Sequence, residues 1–384
     1  MAYKVKCMDK IAPRGLAALG QNYRFTDDLA EADAVLVRSS SLHGAAVGKN
    51  LVAVARAGAG VNNIPSDDFA QRGIVVFNTP GANANGVKEL VLAALLLCSR
   101  DIIDGVNWVK TITENVPAAV EKGKKAFAGR EIFGKKLGVI GLGAIGVLVA
   151  NSALSLGMTV YGYDVNLSVE HALALKNSVK AVNSLDEIFA ECDYITLHVP
   201  LTDGTRGLLN ARAFSAMKDG VNIVNFARGE LVDDADMRAA LESGKVHRYA
   251  TDFPTEATRN MPHAIVVPHL GASTEESEEN CAVMAAEELS RYIETGSICN
   301  SVNFPSLDAG ALTGYRLAVL HKNVPNMIGQ FTALLGGKGI NIVNMVNRSR
   351  GERAYTVIDT ETDPSETAEA LAAIGNVYRV RVLS

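Results

Sequence analysis

The segment Lys136-Leu-Gly-Val-Ile-Gly141-Leu-Gly143-Ala-Ile-Gly146 decides the fold that this sequence predicts. An apolar strand leads directly into G-x-G-x-x-G, and the residues from 144 to 156 have the composition of a helix. A second strand, 158–163, follows and ends on Asp164. Strand, glycine turn, helix, strand and acidic residue in this order are typical of a dinucleotide-binding unit in a doubly wound parallel sheet. The sequence therefore predicts a Rossmann domain with a bound dinucleotide.

Each residue of this fingerprint has a separate physical task. Gly141 permits the tight turn, and Gly143 lets a pyrophosphate approach the backbone. Gly146 lets the helix pack closely on the sheet, and the helix N-terminus offers unpaired N–H groups to the phosphates. Asp164 is placed to accept hydrogen bonds from both ribose hydroxyls. Because a carboxylate at this position would repel a 2′-phosphate, NAD is favoured over NADP.

Composition limits the classes of protein that the chain can belong to. Its 384 residues suffice for two or three domains, and 48% hydrophobic with 21% charged residues is typical of a globular protein. The net charge of −5 argues against a nucleic acid or an anionic membrane as a partner. The longest apolar run, Leu90 to Cys98, is too short to span a bilayer, and the N-terminus has no signal-peptide pattern. The five cysteines show no C-x-x-C spacing, so we expect reduced thiols in a cytoplasmic protein and no metal site.

The alternation of strands and helices predicts three domains. Residues 1–98 alternate β-rich and helical segments, which indicates a parallel sheet of their own. Residues 99–281 hold the dinucleotide-binding sheet, and 282–305 return to the first domain, which is therefore discontinuous. After a linker, 312–384 follow the order β-α-β-β-α-β of a ferredoxin-like α+β domain. The predicted fold is α/β, with a Rossmann domain inserted in a flavodoxin-like substrate domain and a small α+β domain at the end.

Three polar residues, Arg228, Glu256 and His269, each stand shortly after an apolar strand. Ligands of open α/β sheets gather at the carboxyl ends of strands, so we expect these side chains near the nicotinamide. Oxidation of a 2-hydroxy acid needs a base for the hydroxyl proton, which His269 can supply. Glu256 would hydrogen-bond the far ring nitrogen, and Arg228 would hold the substrate carboxylate. Each residue also has a simpler interpretation: Arg228 as a surface arginine, Glu256 as a solvated loop acid, and His269 as a structural histidine.

Several motifs together resemble those of the D-isomer-specific 2-hydroxyacid dehydrogenases, over the chain up to about residue 305. The matching strings are Arg56-Ala-Gly-Ala-Gly-Val-Asn-Asn, Val76-Phe-Asn-Thr-Pro-Gly, Gly141-Leu-Gly-Ala-Ile-Gly, His198-Val-Pro-Leu-Thr, Asn225-Phe-Ala-Arg-Gly and Pro268-His-Leu-Gly-Ala-Ser-Thr. The resemblance implies NAD as the cofactor and Arg228, Glu256 and His269 as the catalytic residues. The segment from Asp252 to Glu256 is one residue shorter than the usual Asp-Val-Phe-x-x-Glu, so Glu256 is aligned across a deletion.

The same resemblance implies a set of cofactor-binding residues. They are Gly141, Gly143, Ala144, Ile145, Gly146, Asp164, His198, Val199, Pro200, Thr205, Phe226, Ala227, Asp252 and Gly271. Two positions depart from the usual pattern of the family. Ala144 replaces a commoner basic residue, which removes one potential pyrophosphate contact, and Lys88 stands where a small residue is usual.

Two arginines, Arg38 and Arg56, each end a short predicted strand in the first domain. They match positions that bind the phosphate of the substrate in the members that oxidise D-3-phosphoglycerate at the start of serine synthesis, which the chain resembles most. Two guanidiniums suit a phosphate better than a methyl group, although either could instead be a salt-bridged surface residue. The other implied substrate-binding residues are Ala57, Gly58, Gly60, Val61 and Asn83. A glyoxylate or hydroxypyruvate reductase, and a binding protein that only senses NAD(H), are the alternatives.

The C-terminal segment resembles an ACT domain, a small amino-acid-sensing module. His321, Asn323 and Asn341 match the positions that bind L-serine in members that serine inhibits, so L-serine is a predicted effector. The alternative is that this segment serves only for oligomerisation. A helix around 101–113, which contains Trp108, is a dimer contact in similar proteins. The resemblance therefore implies a homodimer or a homotetramer.

Overall fold

The computed structural model of this protein describes residues 2–384. Its strands are β1 (Tyr3–Cys7), β2 (Tyr23–Phe25), β3 (Ala34–Val37), β4 (Ala53–Arg56), β5 (Val75–Phe77), β6 (Lys136–Ile140), β7 (Thr159–Tyr163), β8 (Lys180–Ala181), β9 (Tyr194–Leu197), β10 (Val221–Asn225), β11 (Val246–Thr251), β12 (Ala264–Val266), β13 (Tyr315–Lys322), β14 (Ile342–Arg350), β15 (Arg353–Thr360) and β16 (Val377–Leu383).

The α-helices are α1 (Pro13–Ala18), α2 (Ser66–Gln71), α3 (Ala84–Ser99), α4 (Ile102–Val109), α5 (Val116–Gly123), α6 (Ala144–Ser155), α7 (Val169–Ala174), α8 (Leu185–Glu191), α9 (Ala211–Ala216), α10 (Asp234–Glu242), α11 (Glu275–Thr295), α12 (Met327–Gly337) and α13 (Ser365–Ala372). Short 3₁₀ turns occupy Leu29–Glu31, Lys124–Phe127, Gly229–Leu231 and Thr258–Asn260. Within residues 2–384, no helix is both long enough and apolar enough to cross a membrane.

The chain forms two compact units. The first comprises the chain up to Asn83 together with Glu275–Ser384, and the second comprises Ala84–Thr274. These divisions differ from the predicted domain boundaries at 98/99 and 281/282. Helix α3 accounts for the first difference, because its buried residues share a hydrophobic cluster with α6 of the dinucleotide-binding sheet. The segment 84–98 therefore belongs to the second unit.

The second unit contains a seven-stranded parallel sheet in the order β12-β11-β10-β9-β6-β7-β8. Every residue of β9 and β10 is buried, as expected for strands covered by helices on both faces. Strand β9 lies at the centre with β6 beside it, and the strand order reverses between β6 and β9. Because ligands bind outside the carboxyl ends of strands at such a reversal, this edge of the sheet is the expected cofactor site. The predicted Rossmann sheet is confirmed.

The first unit begins with a five-stranded parallel sheet in the flavodoxin order β2-β1-β3-β4-β5. Helix α11 returns to this sheet and crosses α1 closely. A Cβ atom at Gly15 of α1 would lie 2.5 Å from the Cβ of Ala282, so only glycine allows this approach. The flavodoxin-like arrangement is thus completed by a helix that is remote in sequence, as predicted.

A four-stranded antiparallel sheet, β14-β15-β13-β16, forms the rest of the first unit. With α12 and α13 it has the predicted ferredoxin-like order. Phe331 and Leu371 of these helices share a cluster with residues of β13 and β15. Tyr355 and Leu320 instead join the core that contains Tyr292 of α11. The segment predicted as a domain of its own therefore shares a hydrophobic core with the N-terminal sheet.

Candidate active site

The glycine loop between β6 and α6 is tightly packed on one side and open on the other. Gly141 has a φ of +96°, and a Cβ there would lie 2.6 Å from the carbonyl oxygen of His198. A Cβ at Gly146 would lie 1.9 Å from the oxygen of Gly141, whereas one at Gly143 would meet no atom within 4 Å. No side chain in the described part of the chain caps α6. The loop therefore leaves space and free helix amides where a pyrophosphate would bind.

Asp164 follows β7 and is fixed by the backbone beside this loop. One carboxylate oxygen accepts a hydrogen bond from the N–H of Leu142 (2.7 Å), and the other accepts one from the N–H of Asn166 (2.7 Å). A carboxylate has about four acceptor sites, so both oxygens retain capacity for a further donor. The side chain both braces the glycine loop and is able to accept from ribose hydroxyls.

The segment after β9 is shaped by its own hydrogen bonds. The ring of His198 lies 3.1 Å from the hydroxyl of Thr196, and burial lowers the pKa of His198 to about 3, so that the imidazole is neutral. The hydroxyl of Thr205 donates to the carbonyl oxygen of Pro200 (2.7 Å) and accepts from the N–H of Thr202 (2.8 Å). This loop is therefore held beside Gly141 without a charged group.

Arg228 is held by a residue that the sequence analysis did not select. Asn225, fully buried at the end of β10, donates to the carbonyl oxygen of Arg228 (2.9 Å) and accepts from the N–H of Ala227 (3.1 Å). The guanidinium itself is exposed and donates to the oxygen of Ala227 (2.6 Å). The only signal for Asn225 in the sequence is a polar residue at the end of an apolar strand. Its amide fixes the loop that carries Arg228.

His269 follows β12 in an uncommon backbone conformation. Its φ of 33° lies in the left-handed region, which non-glycine residues adopt mainly where the surroundings enforce it. The N–H of His269 donates to the carbonyl oxygen of Asp252 (3.0 Å), and the ring packs on Phe253 with centroids 5.1 Å apart. No residue described here hydrogen-bonds a ring nitrogen of His269. The imidazole is therefore positioned by its backbone and by stacking, with both nitrogens accessible.

Asp252, at the end of β11, lies near the charges of Arg228 and His269. It is 1% exposed, and one oxygen accepts from the N–H of Gly271 (2.8 Å). Burial raises the pKa of Asp252, while the Gly271 N–H and the nearby charges of His269 and Arg228 act against that rise. Its other oxygen is buried without a partner among residues 2–384. A buried oxygen without a hydrogen-bond donor costs free energy, and the carboxamide N–H of a bound nicotinamide would supply that donor.

Glu256 is not placed with the other two predicted catalytic residues. Its side chain is 89% exposed, and its carboxylate lies 3.2 Å from the guanidinium of Arg259. No contact between Glu256 and His269 is found in the described residues. The segment after β11 turns directly into the 3₁₀ turn at Thr258–Asn260, and this short connection directs Glu256 to solvent. The structure thus groups Arg228, His269 and Asp252.

A cavity of about 610 Å³ lies beside these residues in the second unit. Its lining includes Gly229 after β10, Asp252 and Phe253 after β11, and His269 after β12, together with Arg206 and Tyr249. This volume is within the usual range for small-molecule sites. It is large enough for a nicotinamide ring together with a small hydroxy acid.

The first unit brings Arg38 and Arg56 together. Arg56 ends β4, Arg38 follows the neighbouring strand β3, and the Nε of Arg56 donates to the carbonyl oxygen of Arg38 (3.0 Å). One Nη of Arg38 lies 2.6 Å from a carboxylate oxygen of Glu278. A Cβ at Gly58 would lie 2.4 Å from the guanidinium of Arg56, so glycine makes room for that group. The two arginines form one cationic cluster.

The remaining predicted substrate residues lie in nearby loops of this unit. The N–H groups of Ala57 and Gly58 already donate to the carbonyl oxygens of Val37 (2.8 Å) and Arg56 (2.9 Å). These two amides are therefore used inside the protein. Gly60, Val61 and Asn83 are half-buried in loops.

The predicted effector residues are only partly at the surface. His321 is 2% exposed, and its two ring nitrogens lie 2.8 Å from the oxygen of Lys322 and 2.8 Å from the hydroxyl of Thr356. Asn323 is exposed and donates to the oxygen of Gly351 (3.0 Å), and Asn341 is exposed as well. In this conformation His321 serves the internal network of the sheet and does not face a ligand.

Comparison with known proteins places this geometry in a family. The family model "D-isomer specific 2-hydroxyacid dehydrogenase, NAD binding domain" matches residues 92–271. The D-3-phosphoglycerate dehydrogenase of Haemophilus influenzae is 35% identical, over 87% of this chain and 81% of that protein. A hydroxypyruvate reductase of Thermotoga maritima is 37% identical, over 67% of this chain and 84% of that protein.

A solved structure supports the same assignment. The NAD⁺-bound 3-phosphoglycerate dehydrogenase of Entamoeba histolytica superposes with a TM-score of 0.61 at 27% identity, over 80% of this chain and 100% of that one. The space above Gly143, the carboxylate of Asp164 and the unpartnered oxygen of Asp252 all fit the cofactor of this family. The chain belongs to the D-isomer-specific 2-hydroxyacid dehydrogenases and is an NAD-dependent dehydrogenase.

Proposed function

We propose that this enzyme oxidises D-3-phosphoglycerate to 3-phosphohydroxypyruvate. The cluster of Arg38 and Arg56 carries the proposal, because two arginines at the ends of neighbouring strands suit a phosphate group, which glyoxylate and hydroxypyruvate lack. Relatives named D-3-phosphoglycerate dehydrogenase align over 87% of the chain, including that of Saccharomyces cerevisiae at 32% identity. Such a reaction would start the phosphorylated route to serine.

The chemistry follows from the groups around Asp252. NAD, when bound, accepts the hydride that leaves C2 of the substrate. The imidazole of His269 takes the hydroxyl proton, and Arg228 holds the substrate carboxylate with its planar guanidinium. The backbone N–H groups of the glycine loop and the carboxylate of Asp164 would hold the dinucleotide. The proposed cofactor site is completed by His198, Val199, Pro200, Thr205, Phe226, Ala227 and Gly271.

Two carboxylates are candidates for stabilising the protonated His269. The resemblance assigns this role to Glu256, which is 89% exposed. Asp252 is supported instead by its burial and by its neighbour His269, whose N–H donates to the backbone oxygen of Asp252 (3.0 Å). We expect Asp252→Asn to lower kcat about a hundredfold, because the carboxylate that would stabilise the proton taken up by His269 is lost. Glu256→Gln should change kcat less than about threefold in the same assay. A large loss in Glu256→Gln alone would return the role to Glu256.

The substrate is tested by steady-state kinetics with D-3-phosphoglycerate and NAD. Arg38→Ala and Arg56→Ala should each raise the KM for phosphoglycerate about tenfold or more, because each removes a charged hydrogen bond to phosphate. Arg14→Ala is the matched control, since Arg14 is an exposed arginine of the same unit that pairs with Glu279 at 3.5 Å. No turnover of phosphoglycerate, or unchanged KM values in both variants, would contradict the proposal.

A reductase for glyoxylate or hydroxypyruvate is the second candidate. The relative of Thermotoga maritima, named hydroxypyruvate reductase, supports it. The two activities are distinguished by measuring kcat/KM for phosphohydroxypyruvate and for hydroxypyruvate with NADH. A higher value for the unphosphorylated compound would favour the reductase. A protein that only senses NAD(H) would turn over neither compound.

Regulation by L-serine is a further part of this proposal. The exposed amides of Asn323 and Asn341 support it, whereas His321 would have to leave its internal partners to take part. Serine up to millimolar concentration should lower the rate in wild type and less so in Asn341→Ala. If serine leaves the kinetics of wild type unchanged, regulation by serine is contradicted and the ACT-like segment has only a structural role.

We further propose a cytoplasmic homo-oligomer. Helix α4 supports the assembly, because Ile102, Ile103, Val106 and Val109 are each at least 41% exposed, which is unusual for apolar side chains on one helix. The free thiols of Cys7, Cys98, Cys192, Cys281 and Cys299 are in keeping with a reducing compartment. Sedimentation of wild type and of Ile103→Glu tests the assembly, and a monomeric wild type would contradict it.

A further inference from the structure

Arg38 forms an ion pair with Glu278, which is not among the predicted site residues. Glu278 lies in the first turn of α11, and its carboxylate is 2.6 Å from one Nη of Arg38. The two side chains are 40% and 43% exposed, so the contact lies at the surface of the first unit. A pair this exposed adds little to folding stability. The pair instead affects the position of the Arg38 guanidinium.

Both ends of this ion pair are fixed by the fold. The N–H of Arg38 donates to the carboxylate of Asp9 (2.7 Å), and its carbonyl oxygen accepts from Arg56 (3.0 Å). On the other side, Cys281 and Ala282 of α11 are buried one turn beyond Glu278. Between these fixed points lies the long side chain of Arg38, and a side chain of this kind loses considerable rotamer entropy when it is held in one position.

We propose that Glu278 is a positioning residue whose carboxylate holds the Arg38 guanidinium ready for the phosphate of the substrate. The inference rests on the proposed function. A single hydrogen bond from one Nη engages Glu278, so the guanidinium keeps donors for a phosphate oxygen. Because the entropy of ordering Arg38 is already lost in the free enzyme, less is lost on binding, which lowers KM.

Kinetics of Glu278→Ala test this role. We expect the KM for D-3-phosphoglycerate to rise three- to tenfold and kcat to stay within twofold, because Arg38 does not touch the reacting atoms. The KM for hydroxypyruvate, which has no phosphate, should not change. Glu278→Gln should restore most of the affinity, since its amide oxygen still accepts from Arg38. An unchanged or lower KM in Glu278→Ala, or an equal rise for both substrates, would overturn the inference.

Glu279→Ala is the matched control for position and charge. Glu279 is the next residue of α11, is also exposed, and faces Arg14 at 3.5 Å. It should behave as wild type, and thermal melting of all three variants checks that they fold. If wild type does not oxidise phosphoglycerate, the proposed function itself fails. If Arg38→Ala raises the KM and Glu278→Ala does not, the inference about Glu278 alone fails.

Discussion

Gly143 and Gly146 lie three residues apart but differ in the space available for a side chain. A Cβ at Gly143 would meet nothing within 4 Å, and its backbone is extended, so alanine fits the protein without strain. A Cβ at Gly146 would lie 1.9 Å from the oxygen of Gly141. The fold thus requires a glycine at 146 but not at 143, which fits the cofactor-binding role proposed for Gly143.

This difference predicts opposite effects of the two alanine variants. Gly143→Ala should change the free energy of unfolding by less than about 0.5 kcal/mol but weaken NAD binding about tenfold or more, because the methyl group occupies the approach of the pyrophosphate. Gly146→Ala should destabilise the protein by about 2 kcal/mol or more, since helix and strand must separate. Denaturant unfolding and fluorescence titration with NADH measure the two quantities. Wild-type NAD affinity in Gly143→Ala would refute the assigned role.

Glu288 predicts a pH dependence of stability. It is 6% exposed on α11, one oxygen accepts from Asn300 (2.6 Å), and burial raises the pKa of Glu288 to about 8. Between the ordinary value of 4.5 and about 8, the folded protein keeps a proton that the unfolded chain has lost. The free energy of unfolding therefore falls as pH rises through this window, by at most about 5 kcal/mol from this group.

Glu288→Gln removes this titration and keeps the size of the side chain. Between pH 5 and pH 8.5, the free energy of unfolding measured with urea should fall less in the variant than in wild type. In Glu287→Gln, which changes the exposed neighbour, it should fall as much as in wild type. Equal slopes in wild type and Glu288→Gln would show that Glu288 is ionised in the folded protein.

At the scale of elements, the C-terminal end of α11 is capped by the antiparallel sheet. Helix ends leave carbonyl oxygens without intrahelical partners. Here Arg316 donates to the oxygen of Thr295 (2.7 Å), Arg381 to that of Ile293 (2.7 Å), and the Tyr355 hydroxyl to that of Gly296 (2.6 Å). Positive side chains at this end also complement the helix dipole. The sheet thus fixes the helix that carries Glu278.

Arg316 should contribute most to this contact. It is 1% exposed and also makes two hydrogen bonds to the carboxylate of Asp359 (2.6 and 3.0 Å). Arg316→Met leaves that carboxylate and several carbonyl oxygens unpaired, so we expect a loss of about 3 kcal/mol or more in denaturant unfolding. Arg353→Met removes a more exposed pair with Asp67 and should cost less than about 1 kcal/mol. Similar losses in both variants would contradict this assignment.

Most elements were predictable because their apolar runs are long enough to recognise. The strand predicted at 158–163, for example, is β7, which spans Thr159–Tyr163. Strands β2 and β8 were not predicted. They have three and two residues, too few for any periodicity, and form only because neighbouring strands provide hydrogen-bond partners.

At the scale of the whole molecule, the C-terminal sheet determines whether the first unit is complete. Leu320, Tyr355 and Val357 are buried in the same core as Tyr292 of α11 and Phe77 of β5. A chain that ends at residue 311 would expose this apolar surface to water. We expect it to aggregate or to melt well below the full-length protein, unlike an enzyme with a detachable regulatory domain. Soluble yield and thermal melting measure this, and a truncated chain with wild-type stability and activity would show that the sheet is dispensable.

By itself, the sequence determined the cofactor and the order of the elements. The glycine loop, Asp164 and the apolar strands act through local backbone geometry and periodicity, which are properties of neighbouring residues. Only the tertiary structure decided that Asp252, and not Glu256, lies with His269, that Asn225 holds the loop of Arg228, and that Glu278 pairs with Arg38. These contacts join residues whose approach depends on loop direction and on the packing of α11. Neither the direction of a loop nor the packing of α11 follows from hydrophobic periodicity, which is why the sequence did not predict these contacts.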